Sequence, residues 1–335
     1  MQSANPILVE VTRGEMMESF HRGAVAVVNT DGETIAEYGD VNRPIYPRSA
    51  IKPLQAMVLV ESGALERYAL RDEHIALACA SHSGQVTHVD SVRHWLEHLG
   101  LDETHLECGV HEPVHRKTRN EMIRQQYEPT ALTNNCSGKH AGFISVALHC
   151  NLPVKGYIAR EHPVQQYVLQ TLEELSEESL HGRPAGLDGC GIPVTGMSLR
   201  GMALAFARLA VSDYSSEIRR TAATRIRCAM GRLPELVGGE NRFCTVVPRM
   251  TESRVLVKVG AEGVYAGMTS QCDGLGFALK IDDGSRRAAE VAMGWLIEKY
   301  CNLAQAQKRQ LNPWFRPQVK TVAKRHAGVI RPVFE

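Results

Sequence analysis

The chain contains no long apolar run. Nowhere in its 335 residues do apolar side chains approach the roughly 18 in succession that a membrane-spanning helix requires. Met1 to Gly14 lacks the apolar core of a secretory leader. Neither sign of charge prevails. The formal net charge is +1, which argues against the basic surface that binding to nucleic acid or an anionic membrane needs. The nine cysteines are scattered, odd in number and without the paired spacings of structural zinc sites. With no leader, they exclude a disulfide framework and predict a reducing, cytoplasmic setting. Internal repeats and low-complexity segments are absent too.

What is present suits an ordinary globular protein. Hydrophobic residues make up 44% and charged residues 22%, enough for a full core. The length fits one large domain or two intimately packed ones. Apolar, β-branched runs predict strands at Pro6 to Thr12, Val25 to Asn29 and Thr34 to Tyr38, the last two joined across Asp31-Gly32, a strong hairpin signal. Helical spacing then takes over at Leu54 to Glu61, His74 to Ala80, Val86 to Leu99, Arg119 to Gln126, Lys139 to Cys150, Pro163 to Ser176, Gly201 to Ser212 and Ser215 to Arg232. Phe243 to Val247, Arg254 to Val259, Gly263 to Met268 and Leu275 to Ile281 are predicted strands, followed by a helix over Ser285 to Tyr300. Pro313 to Glu335, rich in proline and basic residues, is expected to run over the surface. Strands from both chain ends can join one antiparallel sheet, with the helices as a separate lobe. The expected class is α/β of the α+β type, as a single domain over 1–335: sheet part about 1–50 and 240–305, helical part about 51–235, surface tail about 309–335.

The first stretch with chemical content is Arg48-Ser49-Ala50-Ile51-Lys52-Pro53. Positions i and i+3 share a helix face, so the Ser49 hydroxyl and the Lys52 amine can meet. A neutral lysine can take the proton that makes a serine nucleophilic. The alternative for Ser49 is a helix N-cap, but a capping box wants Glu or Gln where Lys52 stands. A cation there opposes the helix dipole, a field that favours the neutral amine. Pro53 predicts an irregular helix start.

Ser81, in Ala80-Ser81-His82-Ser83-Gly84, follows an apolar helix at a bend; it is a second cleft serine or a helix cap. Lys258, in Lys258-Val259-Gly260, resembles the Lys-Thr-Gly strand of β-lactamase-like enzymes; the alternative is a solvated strand lysine. Cys136 and Cys190 sit in polar, Gly-containing loops, Asn134 to His140 and Asp188 to Pro193. Thiolates favour a soft cation, but two cysteines are too few for a closed structural site, and ordinary loop cysteines are the alternative. Ser137-Gly138-Lys139-His140 lacks the first glycine and the Mg²⁺-binding hydroxyl of a P-loop, which excludes that reading. His111-Glu112-Pro113-Val114-His115 spells His-Glu-x-x-His. A zinc protease needs it on a continuous helix, where Pro113 would cost about 3 kcal/mol.

Ser-x-x-Lys after the first strands is the arrangement of the serine β-lactamase and penicillin-binding fold. Taken in order, the six stretches Arg48 to Pro53, Ser81 to Gly84, Cys108 to His111, Asn134 to His140, Asp188 to Pro193 and Lys258 to Gly263 resemble the Rhizobium etli-type L-asparaginases, an asparaginase II family, over most of the chain. The resemblance implies a serine β-lactamase-like fold, a homodimer, and hydrolysis of L-asparagine to L-aspartate and ammonia. It implies two Ser-Lys tandems, Ser49 with Lys52 and Ser81 with Lys258. It implies zinc, beside the site and outside the chemistry, on Cys136, Lys139 and Cys190. Arg48, Asp188, His140 and Cys244 match positions that bind or border the substrate. The same matching predicts an acid where Gln85 stands and a bulky apolar residue where Glu112 stands. Ser49 would attack the side-chain amide of asparagine with Lys52 as base, and Ser81 with Lys258 would pass a proton to the leaving ammonia. The rival readings are a glutaminase or other serine acyl hydrolase of the same fold, and a catalytically silent protein that binds metal or amino acid.

Overall fold

The computed structural model describes residues 4–333. The described residues form ten strands: β1 (Ile7–Arg13), β2 (Met16–Asn29), β3 (Thr34–Tyr38), β4 (Ala185–Leu187), β5 (Pro193–Thr195), β6 (Val255–Val259), β7 (Val264–Thr269), β8 (Leu275–Ile281), β9 (Gln318–Lys320) and β10 (His326–Pro332). The chain divides into two compact units. Unit 1 takes the residues up to Ile51, Met197–Asp213 and those from Val247 onward; unit 2 takes Lys52–Gly196 and Tyr214–Val246.

Unit 1 is an antiparallel sheet in the order β6-β7-β8-β2-β1-β10-β9, with β3 pairing β2. Strands from both chain ends meet in it, as the pattern predicts. The long β2 makes this possible. Its first half pairs with β1, and its second half runs between β3 and β8, with Gly23 opposite Ile281 and Asn29 opposite Leu275. Gly23 is required there, because a Cβ would run into the Lys280 carbonyl and the Leu8 side chain. The middle strands are buried on both faces, β6 and β7 completely. Adjacent residues of a strand point to opposite faces, and β8 shows what lies on each. A Cβ on Gly276 would overlap the Ala203 carbonyl of helix Leu199–Val211. Phe277 instead meets the Tyr300 ring of helix Arg286–Tyr300, with centroids 6.3 Å apart. Helices cover both faces, which is why these strands lack a polar alternation.

Unit 2 is built around helix Ser137–His149, in which 137–147 are all buried. Such a helix has no solvent face, so the polar side chains it carries, Ser137, Lys139, His140 and Ser145, are buried with the apolar ones. Helix Asp72–Ala78 lies close against it: a Cβ on Gly138 would sit 2.5 Å from the Leu77 carbonyl oxygen. Trp95 of helix Val86–His98 donates its indole N–H to Ser145 Oγ at 3.1 Å, so the one polar atom of this buried ring is satisfied. A short β4–β5 hairpin completes the unit.

Two expectations are overturned. Phe243 to Val247 is not a strand but the start of helix Phe243–Met250. A five-residue apolar run carries too little periodicity to separate the two. Residues from Pro313 onward do not simply run over the surface. Helix Gln305–Phe315 continues through Pro313 and buries Leu311 and Phe315, and β10 pairs with β1, Val11 opposite Ile330. The basic residues that suggested a tail are anchored: Arg331 bonds Glu10 and Arg316 bonds Glu298, both at 2.6 Å. The last two residues of that stretch lie outside the described residues. The segment before Ala24 in β2, with Met16, Met17 and Phe20 exposed, was not predicted as strand because it shows no clean alternation.

If residues around 315 belong to the core, Phe315→Ala leaves a cavity against Gly294 and lowers stability by about 3–5 kcal/mol. Guanidinium unfolding of the variant measures this, and a loss below about 1 kcal/mol would contradict the packing.

Candidate active site

The boundary between the units falls within Ser49-Ala50-Ile51-Lys52, so the predicted residues are described unit by unit. In unit 1, Ser49 lies inside the 3₁₀ turn Arg48–Ile51. It is not an N-cap, and the capping alternative falls away. The helix start is irregular, as Pro53 predicts: this turn runs into the four-residue helix Lys52–Gln55. Arg48, just before the serine, has φ +51°. A non-glycine residue in the left-handed region carries strain of about 1–3 kcal/mol and keeps it only where the surroundings fix the backbone. Here they do. The turn packs against β6 and β7, and a Cβ on Gly260 would sit 3.1 Å from the Pro47 carbonyl oxygen. Lys258, two residues before that glycine, is fully buried, and its Nζ donates to the Val259 carbonyl at 2.9 Å. The solvated-lysine alternative is therefore excluded.

In unit 2, Lys52 is fully buried. Its Nζ donates to the Ala80 carbonyl at 2.6 Å, Cys136 Sγ at 3.1 Å and Ser81 Oγ at 3.2 Å. Three acceptors thus surround an amine whose charged form has three donors. Ser81 is not a helix cap. It lies in the loop between helices Asp72–Ala78 and Val86–His98, whose N-cap is Gln85. Its own N–H donates to Val237 O at 3.0 Å, and that of His82 to Asn135 O at 3.2 Å. The loop is pinned further by His82. Its Nδ1 accepts the Gly84 N–H at 3.2 Å, so Nε2 carries the proton and donates to Ser137 Oγ at 2.9 Å. Gln85 Oε1 accepts from Ser83 Oγ at 2.9 Å and from the Glu240 N–H at 2.8 Å. The amide oxygen thus fills an acceptor role open to the expected acid, without its charge. Glu112 is exposed and pairs with Arg119 at 3.8 Å. The His-Glu-x-x-His residues form no helix; His115 instead caps helix Arg116–Gln125.

Cys136 and Cys190 are not ordinary loop cysteines, being 5% and 4% exposed. Asn134 sets Cys136: its NH₂ holds the Cys108 carbonyl at 2.8 Å while its Oδ1 accepts the Cys136 N–H at 2.9 Å. Cys190 sits in the tight β4–β5 loop, where Asp188 N–H bonds Ile192 O at 2.8 Å and Gly191 takes φ +86°. Lys139 Nζ donates to Cys190 Sγ at 3.0 Å. The hydrogen bond from Cys190, aided by the Lys52 and Lys139 ammonium groups, holds the Cys136 thiol well below its ordinary pKa despite burial. That same bond and burial push the Cys190 thiol up. Burial opposes the charge of Lys139, but Cys190, Cys136 and Asp188 outweigh it and raise its pKa. Nearby Cys108 is pushed up to about 12, chiefly by burial and then by Cys136. The two sulfurs suit the donor preferences of zinc, whereas the Lys139 amine is held in its charged form and would have to lose its proton before it could ligate. Among the described residues no group of three His, Cys, Asp or Glu side chains could hold a metal, so the lysine would have to serve as third ligand.

His140, also fully buried, bonds the Tyr157 hydroxyl through Nδ1 at 2.6 Å. Cys244 is buried in helix Phe243–Met250, beside Gly238. Sequence reasoning missed His82, Ser137, Asn134 and Tyr157 as parts of this cluster. The first three stand in quoted motifs; Tyr157 has no local signal.

Burial, then His88 and Lys52, depresses the pKa of His82; burial, then Lys139 and Lys52, depresses that of His140; and burial depresses that of His88. Unfolded, each would titrate near 6.5. Below that pH the unfolded chain binds protons that the folded chain refuses, so stability falls as pH drops, by up to about 1.4 kcal/mol per pH unit for each histidine. Unfolding midpoints at pH 7.5 and 5.5 test this; equal midpoints would contradict the buried neutral histidines.

The sequence matches the family profile described as L-asparaginase II over residues 9–332. Among curated protein sequences none matches. Among solved structures, a Bacillus glutaminase is 12% identical over 83% of this chain and 90% of its own, with a TM-score of 0.46. A β-lactamase from Mycobacterium bovis is 14% identical over 88% of this chain and 94% of its own, with a TM-score of 0.39. At these scores neither likeness bears on the chemistry. With the six motifs and the profile match running together along nearly its whole length, the chain belongs to the L-asparaginase II family of amidohydrolases.

Proposed function

We propose that the protein hydrolyses L-asparagine to L-aspartate and ammonia through a seryl ester. The family match over residues 9–332 carries this reading; the Lys52 cluster supports it. Ser49 Oγ bonds to the side-chain amide carbon as Lys52 Nζ takes its proton. The C–N bond breaks, and the nitrogen leaves as ammonia with a proton relayed by Ser81 and Lys258. Water then adds to the ester, and the Ser49–carbonyl bond breaks to give aspartate. Lys52 Nζ already touches Ser81 Oγ, so the two tandems share a proton-bearing contact. For Lys52 to act as base, one of its three donor positions must first be vacated. Arg48, Asp188 and His140, with Cys244 bordering them, hold the charged ends of the amino acid. Zinc on Cys136, Lys139 and Cys190 would anchor the loops around Ser81 when bound. The working form in this reading is a cytoplasmic homodimer.

Ser49→Ala is expected to lower ammonia release from asparagine by about 10³-fold or more, with asparagine, glutamine and a chromogenic β-lactam assayed side by side. Near-normal turnover by this variant, or an acyl adduct trapped on another serine, would overturn the scheme. Cys136→Ala and Cys190→Ala are expected to abolish zinc uptake, measured by elemental analysis. Chelation of the wild type should lower its melting temperature while leaving turnover measurable; full retention of zinc by both variants would sink the ligand set.

A further inference from the structure

His140 is fully buried, yet its Nε2 has no hydrogen-bond partner among the described residues. Its other nitrogen is fixed. Tyr157 OH accepts the Glu107 N–H at 2.9 Å and lies 2.6 Å from His140 Nδ1. A tyrosine hydroxyl brings one proton, and with the Glu107 N–H already pointing at its oxygen, that proton has His140 Nδ1 as its acceptor. The opposite assignment, Nδ1–H donating to Tyr157, would leave the hydroxyl proton buried and unbonded, a loss comparable to a whole hydrogen bond. The Tyr157 ring is itself fully buried and stands edge-on to the imidazole, with centroids 5.5 Å apart. The Gln165 amide holds the Tyr157 carbonyl at 3.0 Å.

We propose that Tyr157 is a positioning residue that fixes His140 in the Nε2–H form, so that His140 presents a single buried N–H donor to an oxygen of the bound amino acid. The proposal rests on the reading of His140 as a substrate contact. The orphaned donor gives that reading a physical motive: a buried N–H without a partner is costly, and a ligand carboxylate or amide oxygen is an acceptor of the right kind. It also explains why a tyrosine with no motif around it stands in the middle of the chain Glu107 N–H, Tyr157 OH, His140.

Two-bond ¹H–¹⁵N correlation spectra of the full-length protein, with His140 assigned through His140→Gln, report which nitrogen carries the proton. The proposal expects Nε2–H in the wild type; Nδ1–H would overturn it, whatever any variant does. Steady-state kinetics with asparagine then compare Tyr157→Phe with His140→Gln. Loss of one oriented hydrogen bond should raise KM about five- to tenfold in Tyr157→Phe, with kcat within about twofold and the Nε2–H signal lost or mixed. A raised KM in His140→Gln with an unchanged KM in Tyr157→Phe would defeat the role of Tyr157 alone. An unchanged KM in both would defeat His140 as a substrate contact, and the proposal with it.

Discussion

Three hydrogen bonds from one buried amine organise the helical unit. A lysine without solvent is costly unless each of its donors finds an acceptor, and Lys52 finds a main-chain carbonyl, a serine hydroxyl and a cysteine sulfur. Those acceptors come from two different loops, so the amine fixes the spacing between them. The loop carrying Ser81 is then tied to Asn135 by its backbone and to Ser137 by His82. The loop carrying Cys136 is tied to Cys108 by Asn134. Neither loop has regular structure. Their precision comes from saturating buried polar groups, which leaves few alternative arrangements.

The sulfur in that trio has a second set of neighbours. Cys136 meets Lys52 on one side and Cys190, itself bonded to Lys139, on the other. A pair of thiols lying between two cations can hold negative charge at low cost, because each ammonium offsets part of the desolvation. The expected zinc ligands and the expected catalytic base are therefore not separate sites that happen to be near. They share an atom, and whatever occupies the sulfurs acts directly on the groups that Lys52 can bond.

Much of this was legible in the sequence because several signals agreed. Asp31-Gly32 between β-branched runs placed the β2–β3 hairpin. Pro113 inside His-Glu-x-x-His correctly argued against a helix, and Pro53 correctly predicted a broken one. The misses have physical causes. Phe243 to Val247 is apolar and β-branched but too short to show its period, so neighbours decide its form. The stretch from Pro313 onward looked like a tail because composition says nothing about a partner strand some three hundred residues away. Cys136 and Cys190 could be read as ordinary loop cysteines because glycine and asparagine surround them, yet here those residues serve tight turns and hydrogen bonds in a buried place. Tyr157 could not be found at all, since its role lies in one contact with a residue on another segment.

The pairing of β2 has a consequence for how the chain is made. Gly23 lies opposite Ile281 and Val11 opposite Ile330, so β1 and β2 are matched to strands synthesised long after them. Most of the helical unit, from Lys52 to Gly196, is synthesised in between and draws on contacts closer in sequence. Local contacts form early and distant strand pairing forms late. The sheet is therefore the slow step of folding, and β1 and β2 must wait with unsatisfied edges while the helices assemble. Exposed strand edges invite association with other chains. For this protein the window of greatest vulnerability to aggregation lies between completion of the helices and arrival of β8 and β10.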